Sequence, residues 1–404
     1  MTKVECLSCH QKFPLDPFFP FCPRCQNPVF LLPSTLSPKT SSSNSQDDSL
    51  LNQSQSSSID NLSLGESNTP LLRLSQLEKL LGLSSLWAKN EGQSPTGTFK
   101  DRGSIFVVRF APELGFQRIG TVSVGNMAAS TAAYGQRAGL ETYILVRGDV
   151  QEKKLDFIQT YNPHLIQVEG DYGELFEQSY ELGRRHNIYF ANSVDPFRLQ
   201  GYQTIAKEIL NQLAPKFPEV IVAPVSSGGH LLGIIKAFLD LNTLNTLSCF
   251  PVFIGVQSDR CAPLAEAYSR GEENLQRMYN LPPVPYAISN PNPPAGNLLL
   301  KLIYQYNGYL IAVNDQEIQE GQKLLAQKEG IYVLPSAAAT LAGFIRCQQQ
   351  DPSLAQKTTC LIFTGTGFRG QRLFPAEKNK LHHTSLDHLD GLLAKMIDKK
   401  KPEN

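Results

Sequence analysis

The chain is 404 residues long, with 37 Lys+Arg against 37 Asp+Glu and a formal net charge of zero. Balanced charge gives no global positive field to attract nucleic acid, and no run of about 18 or more apolar residues predicts a membrane span. The length suits two or three domains around a large core, and the N-terminus lacks the charged-then-apolar pattern of a secretion signal, so a cytoplasmic soluble protein is expected.

The first feature along the chain is a cysteine pattern. Cys6, Cys9, Cys22 and Cys25 form C-x2-C, twelve residues, C-x2-C. Two residues between thiolates let one tight turn present both sulfurs to one ion, and two such turns complete a tetrahedral site. Four sulfurs leave no open position, so residues 1–30 are expected to be a ribbon around a structural zinc. Disulfides are the competing reading, disfavoured in a reducing compartment. His10, next to Cys9, reads as a surface residue, and Cys249, Cys261, Cys347 and Cys360 read as scattered ordinary thiols. Residues 31–62 are expected to be a disordered linker, because 34–58 are mainly Ser, Asn and Gln and cannot bury enough surface to order themselves. On that reading the ribbon is tethered, not fused, to the rest of the chain.

From 63 to 375 short apolar runs alternate with longer amphipathic ones. Thr121–Val124, Thr142–Val146, Leu165–Val168, Val220–Ala223, Phe253–Gln257 and Cys360–Phe363 read as strands. Ala128–Ala138, Glu174–Arg185 and Leu199–Leu213 read as helices between them. Such alternation predicts an α/β fold of parallel sheets covered by helices. Residues 376–404 are a polar tail with a short amphipathic stretch over Leu386–Ile397.

Within this region five segments carry chemistry. Pro95 and Gly97 place a turn before the helical run Ile105–Phe110, so Lys100 falls in the first turn of a helix. A cation there opposes the macrodipole, which pushes the amine toward the neutral form that condenses with a carbonyl cofactor. The ordinary alternative is a solvated lysine. Ser123 to Ser130 again runs from strand to helix: Asn126 can orient a ring hydroxyl and the free N–H groups can take a carboxylate, or Asn126 is only a cap. Asn192, Ser193 and Arg198 flank the turn at Pro196 and can converge on one anion, unless Arg198 belongs to a surface ion pair. Ser226, Ser227, Gly228, Gly229 and His230 join the strand at Val220 to a helix over Leu231–Leu239, an arrangement that cradles phosphate. The loop lacks the lysine of a nucleoside-triphosphate site and the spaced glycines of a dinucleotide site, which favours a monophosphate cofactor. Finally, Leu361–Phe363 leads into the turn Thr364-Gly365-Thr366-Gly367.

The segment from Lys89-Asn90-Glu91-Gly92 through Ser104 resembles the cofactor-lysine segment of the pyridoxal-phosphate enzymes of fold type II, and within them that of the threonine synthases, E-G-x-x-P-T-G-S-F-K-D-R-G, with Thr98 at the usual Ser. The other segments follow in family order over roughly residues 65–370, and a zinc ribbon precedes the catalytic region in many relatives. The resemblance implies two parallel-sheet three-layer domains of the tryptophan synthase β type, the smaller at about 112–200 inserted in the larger, with pyridoxal 5'-phosphate in the cleft. It implies that Lys100 bonds the cofactor, Asn126 meets its phenolic oxygen, the Ser226–His230 loop its phosphate and Thr364 its pyridine nitrogen. It further implies that Ser123 holds the substrate carboxylate and that Asn192, Ser193 and Arg198 hold the phosphate of O-phosphohomoserine, with threonine as product. A homodimer acting on a small amino-acid substrate, without nucleic acid or membrane, goes with it. Asp195 replaces an Asn of the family segment, and Glu329–Ala338 lacks a family glutamate at Leu334, so that block is expected to pack near the ring. Phe368-Arg369-Gly370 also departs. Val124 and Met127 stand where the family has a hydroxyl for the substrate. That leaves a cysteate synthase or a threonine or serine dehydratase open beside threonine synthase, and, in a different class, a non-catalytic paralogue.

Overall fold

The central strands of the larger sheet have no polar face to give to water and are covered on both sides. In the computed structural model, which describes residues 2–32, 61–148, 150, 155–244, 247, 249–279, 288–369 and 388, Val220 and Val222 pack into one core while Ile221 and Ala223 pack into another. The same alternation separates Leu361 and Phe363 from Cys360 and Ile362. Successive side chains leave opposite faces of a strand, so two apolar faces require a helical layer on each.

The N-terminal strands β1 (Lys3–Cys6), β2 (Lys12–Pro14) and β3 (Val29–Leu31) form an antiparallel sheet in the order β2-β1-β3. Then come β4 (Leu71–Arg73), α1 (Ser75–Leu81), β5 (Ser85–Asn90) and α2 (Lys100–Phe110). A second group comprises β6 (Arg118–Val122), α3 (Asn126–Arg137), β7 (Glu141–Arg147), α4 (Asp156–Gln159), β8 (His164–Val168), α5 (Tyr172–His186) and β9 (Tyr189–Phe190). After it run α6 (Pro196–Leu213), β10 (Val220–Pro224), α7 (Gly229–Thr243), β11 (Val252–Ser258), α8 (Pro263–Ser269) and α9 (Gly296–Gln305). The last are β12 (Tyr309–Val313), α10 (Asp315–Glu329), α11 (Pro335–Gln350) and β13 (Thr358–Phe363).

Two further sheets result. The six-stranded one has the order β12-β11-β10-β13-β5-β4 and is parallel except for β4. The four-stranded one, β8-β7-β6-β9, is parallel throughout and interrupts the first in sequence between β5 and β10. On its faces Ala128, Ala129 and Ala132 of α3 meet Ile144 and Val146, and Leu175 of α5 meets Val122 and Leu145. The chain is thus an α/β protein with two helix-covered parallel sheets. No helix among the described residues is long and apolar enough to cross a membrane.

The ribbon departs from expectation, because it is docked. Val4, Cys6, Cys22, Val29 and Leu31 share one cluster with Ile105, Val108, Ile119, Tyr189 and Phe197. Phe30 enters the core of α6 and α7 beside Ile205, Ile209 and Phe238, with the Lys236 ammonium 5.8 Å from its ring. Asp16 accepts a hydrogen bond from Arg184 at 2.8 Å, and Phe18 meets Phe116 edge-on at 5.4 Å. A three-stranded sheet this small cannot cover its own apolar face, so it borrows a surface. Linker composition carries no trace of that. The expected linker and tail lie outside the described residues, apart from 31, 32, 61, 62 and His388.

Replacing Phe30 by Ala is therefore expected to lower stability by about 3–5 kcal/mol, read as a fall in the urea midpoint of the full chain. A merely tethered ribbon would leave the midpoint unchanged.

Candidate active site

The loop between β5 and α2 places Lys100, and it is fastened to the end of β13. Phe99 N donates to Thr364 O at 3.1 Å and Thr366 N donates to Gly97 O at 3.0 Å. Gly97 has φ +75°, and a Cβ there would lie 2.8 Å from Thr366 Cγ2, so no larger residue fits this turn. Inside the loop the buried Asp101 carboxylate accepts from Thr96 N at 2.7 Å and Thr96 Oγ1 at 2.6 Å. From the other side Leu334 N donates to Gly365 O at 3.0 Å and Gly367 N to Tyr332 O at 2.9 Å. The Glu329–Ala338 block thus braces the Thr364 turn.

Beneath the loop lies a buried charge network. Arg102 donates to both oxygens of Glu91 at 2.9 Å, to Glu208 Oε2 at 2.8 Å and to Thr69 Oγ1 at 3.0 Å. Lys89 donates to Glu208 at 2.6 Å, Thr69 O at 2.7 Å and Gln212 at 2.8 Å. Two carboxylates and two cations satisfy one another where water is absent, which fixes the start of α2 against α6. Glu208, Gln212 and Thr69 escaped the sequence reading. The available signal was a Lys, two Glu and an Arg at positions that must be buried for the surrounding strand and helix to pack.

Lys100 stands in the first turn of α2, with its Nζ 4.4 Å from the centre of the Phe99 ring. It keeps some contact with solvent, yet its ammonium is crowded by protein. Burial first, and the positive charge of Arg198 second, bring its pKa down to about 7. The neutral amine expected from the helix macrodipole has a different main cause, desolvation.

His230 packs on the same Phe99 ring, with centroids 4.0 Å apart. It is buried, and neither ring nitrogen has a hydrogen-bond partner. Gly228 turns with φ +85°, a Cβ on Gly229 would lie 2.5 Å from Ser193 O, and no side chain caps the backbone N–H groups at the start of α7. Ser226 and Ser227 are half-buried at the end of β10, and Ser227 Oγ accepts from Asn290 at 3.1 Å. Thr364, buried, closes this group from β13. Asn126 begins α3, and Ser130 one turn later donates to Ser104 of α2 at 2.7 Å, which joins the two helices behind Lys100 and Asn126. Ser123 Oγ accepts from Gly125 N at 3.3 Å, and Val124 beside it is 40% exposed.

Asn192 and Arg198 serve the protein itself. Asn192 Oδ1 accepts from Val122 N at 2.9 Å and Thr121 Oγ1 at 3.2 Å, and its Nδ2 donates to Ser179 at 2.9 Å. Arg198 is fully buried, donating to Ala191 O at 2.7 Å, Ser104 at 3.0 Å and Thr131 at 2.7 Å. It is not a surface ion pair, since these partners are neutral oxygens. Ser193 Oγ is buried without a partner.

A group carrying an aldehyde and a phosphate fits these residues. The amine of Lys100 is available, and the glycine turn, the α7 N-terminus and the unpaired His230 side chain offer donors without acceptors. The comparisons agree. A family model described as pyridoxal-phosphate dependent enzyme matches residues 62–365. The chain belongs to the pyridoxal-phosphate-dependent enzyme family. Threonine synthase from Methanocaldococcus jannaschii is 38% identical over 309 residues, covering 76% of each chain. Threonine synthase from Methanosarcina acetivorans is 32% identical and covers 75% of each. Among solved structures, maize serine racemase superposes with TM-score 0.64 at 17% identity, over 85% of this chain and 96% of that one. Threonine deaminase isoform 2 from Solanum lycopersicum gives 0.62 at 18% identity, over 85% and 94%. These last two establish the fold, that of type II enzymes, and the family makes the chain an enzyme of lyase type.

In this pyridoxal-phosphate-dependent enzyme the four ribbon cysteines lie far along the chain from Lys100. Their sulfurs all fall within 4.8 Å of one another, with Cys6 and Cys25 at 3.4 Å and Cys9 and Cys22 at 3.5 Å. His10 stays exposed.

Replacing Glu208 by Gln leaves Lys89 and Arg102 to share one carboxylate, with an expected loss of about 3–5 kcal/mol in chemical denaturation. Lys100 gives a pH signature. Only the neutral amine attacks an aldehyde, so the initial rate of cofactor uptake by apo protein should rise with pH through about 7 and then level off. An ordinary lysine would keep rising toward about 10.

Proposed function

We propose that this enzyme is a threonine synthase, converting O-phospho-L-homoserine and water into L-threonine and phosphate. The observation that carries the proposal is the likeness to threonine synthases over three quarters of each chain. Pyridoxal phosphate, bound through its aldehyde to Lys100, supplies a sink for the charge left when a proton leaves Cα. In this reading the Ser226–His230 loop takes its phosphate, Asn126 its phenolic oxygen and Thr364 its ring nitrogen. A neutral hydroxyl leaves that nitrogen unprotonated, so the site relies on surrounding dipoles and charges.

Lys100 is the proton carrier. A pKa lowered to about 7 lets one amine accept the Cα proton and return protons along the side chain at neutral pH. Over the reaction a Cβ–H bond and the Cγ–O bond to phosphate break, the hydroxyl of water is added at Cβ, and the two protons released, from Cβ and from water, go to Cγ and to the departing phosphate. Ser123 and the N–H groups at the start of α3 receive the substrate carboxylate. Ser193 offers an unpaired hydroxyl to the leaving phosphate, and the unmatched charge of Arg198, with Asn192 behind it, lowers the energy of a dianion there.

A second reading, a lyase on another hydroxy- or phospho-amino acid, is favoured by one feature. Val124 projects an apolar side chain from the substrate loop, with Met127 buried below it. The ribbon cysteines Cys6, Cys9, Cys22 and Cys25 are proposed to hold a structural zinc, and a reducing cytoplasmic compartment keeps their thiols available to it.

A substrate panel decides. Purified holoenzyme is expected to release phosphate and threonine in equal amounts from O-phosphohomoserine. Oxo-acid formation from threonine or serine, or sulfonate incorporation into phosphoserine, with no threonine synthesis, would assign the second reading. Lys100→Ala is expected to lose both the visible absorbance of the lysine-bound cofactor and all turnover; retention of both would remove Lys100 from its role.

A further inference from the structure

We infer that the imidazole of His230 is a direct ligand of the cofactor phosphate, and that it takes up a proton from solvent as the cofactor binds. The inference rests on the assignment of the Ser226–His230 loop to pyridoxal phosphate made above. His230 is the second residue of α7, a helix of 15 residues whose first turn carries no acidic side chain. The residue is 7% exposed and both ring nitrogens lack a partner. A buried polar group left unpaired costs on the order of 1–3 kcal/mol, which a ligand that pairs it recovers. The ring has little freedom to reach solvent. Phe99 covers one side at 4.0 Å and Tyr202 stands edge-on at 5.8 Å.

The groups that face it select the sign of that ligand. Lys100 approaches from α2, and α6 presents the Tyr202 ring edge-on, while Arg198 one turn earlier gives its donors to Ala191, Ser104 and Thr131. The segment before α6 meets the start of α7 at Ser193, whose backbone oxygen would lie 2.5 Å from a Cβ on Gly229. Asp101, next to Lys100, is turned into its own loop toward Thr96. The charge that acts on the imidazole is thus that of Lys100, at the positive end of a helix, and an anion is the ligand such a setting accepts.

Without an anion, burial and then the charge of Lys100 hold His230 neutral, with its pKa pushed down to about 3. A phosphate dianion supplies the missing counter-charge and raises that value. A group whose pKa rises on binding takes up a proton, and binding strengthens as pH falls from the liganded toward the free value. Asparagine at this position could donate one hydrogen bond but carry no charge.

The test uses full-length apo protein and pyridoxal 5'-phosphate. Calorimetric titration in two buffers of different ionisation enthalpy counts protons, and phosphorus NMR reads the bound phosphate. Wild type is expected to take up more protons than His230→Asn and His230→Gln, by as much as one. The ratio of variant to wild-type Kd should grow by up to about tenfold per pH unit as pH is lowered. The phosphorus resonance should move in both variants. Nitrogen-15 histidine spectra provide a readout in the wild type alone: one of the seven histidines should change from the neutral to the cationic pattern on cofactor addition. Equal proton counts and an unmoved phosphorus resonance, with the lysine-bound cofactor absorbance intact, overturn the role of His230 and leave the cofactor assignment standing. Absence of that absorbance in wild type overturns the assignment itself.

Discussion

The active site depends on how closely α2 can approach α6. A Cβ on Gly201 would lie 2.0 Å from the carbonyl oxygen of Arg102, and one on Gly103 would lie 3.0 Å from the Tyr202 ring. Two glycines facing each other let the backbones nearly touch, and only at that separation can Arg102 reach Glu91 on one side and Glu208 on the other. The buried network then holds the helix start by charge, while Thr364 and Gly97 hold the loop before it by backbone hydrogen bonds. Lys100 lies between these two fastenings. Its position is over-determined, which is what the amine needs if it is to meet one carbonyl carbon as proposed.

The electrostatics follow from the same packing. Arg198, on α6 three residues before Gly201, is carried into the interior by the close crossing, and neutral oxygens rather than a carboxylate receive its donors. Asp195 caps the same helix through Phe197 N and Arg198 N, so its charge is committed to the backbone. Burial and the hydroxyl of Tyr189 act on it in opposite senses, and burial prevails, raising its pKa to about 6. The region around Lys100 thus combines burial with the positive charge of Arg198. Such a region disfavours the ammonium and favours anions, two properties the proposed chemistry needs together, and one buried guanidinium contributes to both.

Much of this could be read from the residues. The strands at 118–122, 141–147, 164–168, 220–224, 252–258 and 358–363 are apolar runs bounded by turn residues, and each expected strand lies on one of them to within a few residues. The Lys100 turn and the α7 loop announced themselves through Pro95, Gly97, Gly228 and Gly229. Strand β5 did not, because Lys89 and Asn90 look like surface residues until Glu208 and Gln212, over a hundred positions away, are brought to Lys89. Strand β9 has only two residues and no pattern to read. The depressed amine of Lys100 was legible but its main cause was not, since desolvation is a property of packing. Arg198 fell between two expectations, substrate ligand or surface ion pair, because a buried cation with neutral partners leaves no mark in a single sequence.

The ribbon shows how a local pattern can foretell which side chains gather and stay silent about where they gather. Four cysteines at metal spacing give the cluster, but its position is decided by Val4, Val29, Phe30 and Leu31, too few to stand out by periodicity. Docked, the ribbon reaches both sheets: Asp16 and Phe18 contact Arg184 and Phe116 around the four-stranded sheet, while Phe30 and Ser8 meet α7 and Lys301 beside the six-stranded one. The cofactor contacts proposed above come from both sheets, Asn126 from one and His230 and Thr364 from the other. A ribbon that contacts both therefore constrains the distance between the two halves of the site. Two of its cysteines, Cys6 and Cys22, sit inside the packed cluster itself. Whatever fixes the four sulfurs also fixes the apolar surface against which α2, and so Lys100, is packed.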